Sequence, residues 1–200
     1  MLMQLVAFQS FTATKSNGFT LAIVILVLMI LSVIYSLVRV FWAGNEENTA
    51  DSLPSWRKNA MIILFILGMI VALYLSYVET QAVKAVCGPV GDCNAVQSSK
   101  YARLFGVLPV GVLGVLGYVG MLAAWLIGKS RWNKIANMAR LAFFGMALFG
   151  VIFSIYLTYL EPFVIRAVCM WCLSSAVIMT LILLNSIPET IQALNQNLED

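Results

Sequence analysis

Ala167-Val-Cys169-Met-Trp-Cys172-Leu-Ser-Ser-Ala-Val-Ile-Met-Thr-Leu-Ile-Leu-Leu-Asn-Ser-Ile-Pro188 is the stretch that decides the fold. It contains no charged residue and opens on a Cys-x-x-Cys. About 20 apolar residues cross a bilayer as a helix. Cys169 and Cys172 then share one face of the first turn at i and i+3, with Cβ atoms about 5–6 Å apart. A small distortion of the helix end would close a disulfide, whose Cβ atoms lie roughly 3.5–4.5 Å apart. Unpaired N–H groups and a partial positive charge at a helix N-terminus favour thiolate, the nucleophilic form of cysteine. The expectation is a redox-competent turn held at a membrane edge.

Composition points the same way. Of 200 residues, 62% are hydrophobic and 10% charged, against about 25% charged in soluble domains. The net charge of +3 is too small to argue for a nucleic-acid partner. Histidine is absent, which removes the commonest general base and metal ligand. Four cysteines remain, as the close pairs Cys87/Cys93 and Cys169/Cys172.

Five charge-free windows are long enough to span: Ser16–Val38, Asn59–Val78, Leu104–Gly128, Leu141–Leu160 and Ala167–Pro188. Helices satisfy their own backbone in lipid, so these read as five transmembrane helices. The first has no clear cleavage site after it and reads as a retained span. The third connection carries Lys129, Arg131, Lys134 and Arg140, and the first Arg39, Arg57 and Lys58 beside Glu46, Glu47 and Asp51. The other side carries Lys15, Lys84, Lys100, Arg103 and Arg166. The positive-inside rule then puts the N-terminus out and the C-terminus in. Residues 1–58 form a tail, an extra span and a cytoplasmic loop; 59–188 form the bundle; 189–200 form a cytoplasmic tail. Two helices separate the cysteine pairs, so both face the same side. In this orientation that side is extracytoplasmic, where disulfides persist.

An internal repeat reinforces the topology. Tyr74-Leu-Ser-Tyr-Val-Glu-Thr-Gln-Ala-Val-Lys-Ala-Val-Cys87 aligns without gaps on Tyr156-Leu-Thr-Tyr-Leu-Glu-Pro-Phe-Val-Ile-Arg-Ala-Val-Cys169, with seven of fourteen positions identical, and Gly68 matches Gly150. The implied unit is helix, cysteine loop, helix, used twice. That places Cys87 and Cys169 at similar depth and makes a four-helix bundle with the first helix added. Pro54, Pro109, Pro162 and Pro188 are expected near helix boundaries. Gly111, Gly114, Gly117 and Gly120 recur every three residues, for close helix packing or for room beside the backbone. In the outer loop, Gly88, Pro89 and Gly91 let Cys87 and Cys93 approach. Asn94–Tyr101 is a candidate short helix at the membrane surface.

The thiols carry the chemistry. The leading reading is a relay in which an outer pair exchanges with a soluble partner and an inner pair passes two electrons to a membrane acceptor. Lys84 and Arg166 each precede a cysteine by three residues, where they either favour thiolate or snorkel to headgroups. Asp92 would disfavour thiolate at Cys93, or serves the turn. Two other readings stand beside the relay: a scaffold or transporter with two structural disulfides, and a four-thiolate metal site. Cys-x5-Cys is looser than usual zinc spacing, and no Lys, Asp or Glu falls inside a window to argue for transport.

Beyond these features the chain resembles the vitamin K epoxide reductase family in its bacterial form. The resemblance rests on Cys87-x5-Cys93, Ser98-Ser99-Lys-Tyr101-Ala, Gly106-Val-Leu-Pro109 with Gly114 and Tyr118, and Cys169-Met-Trp-Cys172-Leu-Ser-Ser-Ala176, over roughly Ala60 to Asn185. It implies an all-α integral membrane protein, with four transmembrane helices around a quinone, here with one extra N-terminal helix. It implies that Cys87 exchanges with a thioredoxin-like (DsbA-like) partner and that Cys93 attacks the disulfide of Cys169. Cys172, the deeper of its pair, would reduce the quinone, ubiquinone or menaquinone, and Ser99 would help orient it. The implied activity is thiol:quinone oxidoreduction that drives disulfide formation at the inner membrane. Animal members place a Tyr where this chain has Ala176, which favours plain quinone reduction over epoxide chemistry. Many bacterial relatives carry a fused thioredoxin-like domain; a chain ending at Asp200 implies a separate partner. Quinone or epoxide reduction in another pathway is the alternative from the same fold.

Overall fold

The computed structural model describes residues 2–42, 55–87, 91–104, 106–130 and 133–199. The expectations placed on Glu46, Glu47, Asp51, Pro54, Gly88, Pro89 and Arg131 lie outside the described residues. Helix α1 is Leu2–Trp42, α2 Ser55–Gln81, α3 Cys93–Gln97, α4 Val110–Ile127, α5 Asn133–Leu160 and α6 Met170–Glu199. A 3-10 turn (Lys100–Ala102) and a two-residue hairpin, β1 (Arg103–Leu104) against β2 (Leu108–Pro109), precede α4. A π-helical turn, Glu161–Ile165, ends α5.

Five segments are long and apolar enough to cross a membrane: Gly18–Trp42, Trp56–Gln81, Val110–Ile127, Lys134–Ile165 and Met170–Gln196. Each matches one window, with shifted ends. The third begins at Val110 rather than Leu104, because Leu104 pairs with Leu108 across a turn in which Gly106 takes φ +74°. Positive φ suits glycine, which has no Cβ to clash. Pro109 sits at the α4 N-cap and Pro162 in the first turn of the π-helix, as boundary prolines should. Pro188 does not end α6, which continues to Glu199. The Ser186 hydroxyl donates to Leu183 O (2.6 Å) and the Thr190 hydroxyl to Ser186 O (2.9 Å). Such side-chain bonds to carbonyls let membrane helices tolerate an interior proline.

Helices α2, α4, α5 and α6 close a ring in which each packs on its two neighbours. The wide apolar perimeters face lipid, so packing depends on close approach and shape. Gly68 receives the Tyr118 ring and its repeat-mate Gly150 receives Met179, so a side chain from the facing helix seats in each notch. Away from the cysteines, Phe65 meets Trp125 and Phe143 with ring centroids 5.9 and 6.0 Å apart. There Arg57 Nε donates to Asn185 Oδ1 (3.0 Å), and Lys129 Nζ sits 3.2 Å from the Trp125 ring centroid. Helix α1 lies outside the ring against α5 and α6. Its Ala22, fully buried, packs with Val168 and Leu173, which flank the Cys-x-x-Cys.

Candidate functional site

The site sits at the end of the bundle where the two repeats leave the membrane. Helix α2 stops at Gln81 and Ala82 takes φ 50°. Helix α5 runs on through the π-turn, and Arg166 takes φ 59°. The second repeat therefore has only three residues between its break and its cysteine, whereas the first has five. Cys169 is fully buried and Cys87 partly exposed. The two repeat-related cysteines thus differ in exposure, and Cys169 follows a π-turn where the first repeat has none.

The loop of Cys87 is clamped at several points. Val86 N–H donates to the Tyr74 hydroxyl (2.8 Å), and Trp171 Nε1 donates to Val86 O (2.8 Å). The Tyr74 and Trp171 rings lie 4.6 Å apart. Asn94 imitates a strand partner, accepting from Ala85 N–H (2.7 Å) and donating to Ala85 O (3.4 Å). The candidate helix over Asn94–Tyr101 resolves into α3 followed by the 3-10 turn, and it begins one residue earlier, at Cys93. Asp92 is its N-cap, accepting from Ala95 N–H (3.1 Å), which is the turn role. Asp92 N–H also donates to Val168 O (3.0 Å). Gly91, at φ +94°, lies so close to Val168 O that a Cβ there would overlap it. The outer loop is thus docked on the residue that precedes Cys169.

This docking joins the four sulfurs. Cys93 and Cys169 are buried together in one cluster, and Cys87 and Cys172 pack against it. Cys93 N–H points at Cys87 Sγ (3.2 Å). Cys172 N–H points at Cys169 Sγ (3.4 Å), so Cys169 caps α6 and lies just outside its first turn. All four are free thiols in this structure. The thiolate-favouring surroundings expected from the sequence are not found. Burial pushes the Cys87 thiol above its ordinary value. The neighbouring Cys169 thiol, and then burial, raise Cys93; the neighbouring Cys172 thiol raises Cys169. Lys84 and Arg166 are exposed at the surface. Among the described residues, no group of three or more Cys, Asp or Glu side chains is arranged to hold a metal ion.

Behind Cys172 lies a cavity of about 540 Å³ between α2, α4, α5 and α6. Its walls are mostly apolar, including Leu75, Met121, Met179 and Phe153, with Cys172 and Glu79 among the few polar groups. The glycine row serves both of its proposed ends. Gly111 packs against the backbone of Leu75 and Ser76, while Gly117 has nothing within 4 Å of a Cβ position and opens on the cavity. Phe149, which is 67% exposed on α5, also lines it, so it opens towards lipid between α4 and α5. Ala176, 2% exposed, forms part of the wall. The Tyr118 hydroxyl is buried in the wall with no close hydrogen-bond partner. Volume and lining suit a flat apolar ring with a long tail, since small-molecule pockets run about 300–1,000 Å³ with a few polar groups.

A second, 40 Å³ pocket lies on the other side of Cys172, lined by Gln97, Ser99, Tyr101, Glu79 and Glu161 among others. Ser99 is found here rather than in the large cavity, with its buried Oγ lacking a partner. Sequence reasoning missed the two glutamates as site residues and placed no acid inside a span. Glu79 and Glu161 lie within the second and fourth spans. Glu161 is 2% exposed. Glu79 accepts from Gly111 N–H (2.6 Å) and Glu161 from Cys169 N–H (2.9 Å). Each carboxylate thus caps the helix that follows its repeat. The identical Glu in both copies of the repeat was the available signal.

Five apolar helices, paired thiols and a membrane-facing cavity agree with comparison to known proteins: the model of the vitamin K epoxide reductase family matches residues 59–187. That match takes in all four cysteines, α4, α5 and most of α2 and α6, and leaves α1 outside it. The chain belongs to the vitamin K epoxide reductase family, and is in general terms a membrane thiol/quinone oxidoreductase.

Proposed function

We propose that this protein reoxidises a separate thioredoxin-like (DsbA-like) protein at the extracytoplasmic face of the inner membrane and passes the electrons to ubiquinone or menaquinone. The observation that carries this reading is the packing of all four cysteines in one cluster, with Cys87 partly exposed and Cys172 on the cavity wall.

The partner's dithiol attacks the Cys87–Cys93 disulfide at Cys87, the exposed sulfur, and Cys93 leaves as thiolate. Cys93 then attacks Cys169 in the Cys169–Cys172 disulfide, displacing Cys172. Collapse of the mixed disulfides frees the oxidised partner and returns the outer pair to its disulfide. The inner pair is left as two thiols. Each step exchanges one S–S bond for another and needs only access and alignment. The quinone, bound in the cavity, supplies the two-electron sink that restores the inner disulfide. Cys172 meets it; Ser99, across the smaller pocket, orients the reacting end; Gly114 and Gly117 leave the ring its space. Ala176 offers no hydroxyl at the wall, which favours quinone over epoxide as the acceptor.

The test compares two donors with a short-tailed benzoquinone as acceptor. Cys172→Ala abolishes reduction with either a small dithiol or a reduced thioredoxin-like protein. Cys87→Ala abolishes only the protein-driven reaction. Equal losses in both reactions for Cys87→Ala would refute an outer shuttle.

A further inference from the structure

We propose that the repeat-related carboxylates Glu161 and Glu79 move the protons that accompany electron transfer from the inner thiol pair, Glu161 at Cys172 and Glu79 at the cavity. The inference rests on the thiol:quinone reading above and assigns to that site a proton path it otherwise lacks, since the chain has no histidine.

The geometry separates the two carboxylates by role. Glu161 is almost wholly enclosed; it accepts from Cys169 N–H (2.9 Å) and lines the small pocket together with Cys172. It therefore borders both members of the inner pair. Glu79 lines the large cavity beside Cys172 and the small pocket as well. It stands on the boundary between the thiols and the acceptor. The small pocket joins them: Glu79, Glu161, Cys172 and Ser99 all line it, and the Ser99 hydroxyl in its wall has no partner. Its 40 Å³ exceeds the roughly 10–15 Å³ that one water needs. A capping role alone would not place both acids on one pocket with the cysteine that faces the acceptor. Buried acids in membrane helices commonly mark proton relays.

The step balances without an outside reagent. Cys169 and Cys172 lose two S–H bonds and gain one S–S bond. The two electrons go to the quinone, as do the two protons, giving the hydroquinone. Glu161 accepts each proton as the sulfurs are oxidised. The proton crosses the small pocket by way of Ser99, and Glu79 releases it to an oxygen of the bound ring. Both carboxyls end in the state in which they began.

The test uses the full chain in detergent with Glu161→Gln and Glu79→Gln. Glutamine still accepts from the Cys169 and Gly111 N–H groups, so both caps survive. With a small dithiol and a short-tailed benzoquinone, kcat in each variant should fall about 100-fold, the low end for general acid–base groups, with KM within about 2-fold of wild type. The second readout needs no quinone. Oxidation of the reduced protein with ferricyanide should perturb a carboxylic-acid carbonyl band in the infrared difference spectrum, and Glu161→Gln should remove it. Gln variants within about 3-fold of wild type, a loss confined to KM, or a carbonyl band that survives in Glu161→Gln would each overturn the proton assignment alone. A wild-type protein that reduces no quinone would overturn the thiol:quinone reading and this proposal together.

Discussion

Replacing Gly91 with alanine should uncouple the two cysteine pairs while leaving the bundle intact. At φ +94° an L-residue is strained by roughly 1–2 kcal/mol. The added Cβ would also overlap Val168 O, the acceptor of the Asp92 N–H bond. Losing that bond costs about 1 kcal/mol more. The docked loop is thus destabilised by about 2–3 kcal/mol relative to an undocked one. At 1.36 kcal/mol per decade, the ratio of docked to undocked molecules falls by about 100-fold. The assay is reduction of a short-tailed benzoquinone by the full-length variant in detergent. With a reduced thioredoxin-like protein as donor, the rate should drop by more than about 3-fold and by at most about 100-fold. With a small dithiol, which reaches the inner pair directly, it should be unchanged or faster. A protein-driven rate within about 3-fold of wild type would refute the claim that this contact aligns the sulfurs, as would equal losses with both donors.

Further outcomes follow from the same geometry. The Cys87 thiol, raised above its ordinary value by burial, should react with iodoacetamide more slowly than a free cysteine at neutral pH, and its rate should keep climbing above pH 9, because thiolate is the reacting form; peptide mass spectrometry across a pH series checks this. Gly117→Leu should fill the cavity and weaken binding of a short-tailed benzoquinone at least tenfold, while the Cys93–Cys169 exchange, measured without quinone, stays intact. Trp171→Ala removes the Val86 O bond and the Tyr74 contact, so it should speed alkylation of Cys87 and slow protein-driven turnover by roughly tenfold, as loss of about 1–2 kcal/mol implies. If the disulfides were only structural, thiol trapping in quinone-depleted membranes would find them oxidised; relay thiols should instead accumulate reduced.

Helices and cysteine pairing were legible in the sequence because they depend on local regularities. Charge-free runs report spans, and the repeat of Tyr74–Cys87 in Tyr156–Cys169 reports a duplicated unit whose cysteines share a side. What local reading could not supply was set by contacts distant in the chain. Gly91 looked like turn chemistry, but its requirement comes from Val168, far along the sequence. Glu79 and Glu161 fall one residue beyond the charge-free windows and so were not counted inside a span, yet Glu161 joins the π-turn and Glu79 bonds the start of α4. Pro188 looked like a terminator because proline removes a donor, yet neighbouring hydroxyls bond the carbonyls around it. Cys169 is enclosed where Cys87 is partly exposed, and the second repeat ends in a π-turn, a difference that a gapless alignment conceals. Spacing singled out the four cysteines and the resemblance to the family implied their roles; the docking of one loop on Val168, which packs the pairs together, lay beyond both.

The meeting of Cys93 with Cys169 is tested most directly by cross-linking the full chain with only those two cysteines left, in Cys87→Ala/Cys172→Ala. Mild oxidation followed by peptide mass spectrometry should find an intramolecular Cys93–Cys169 disulfide in most molecules. If both thiols remain open to alkylation, or pair only between molecules, the relay has no junction and the account is wrong.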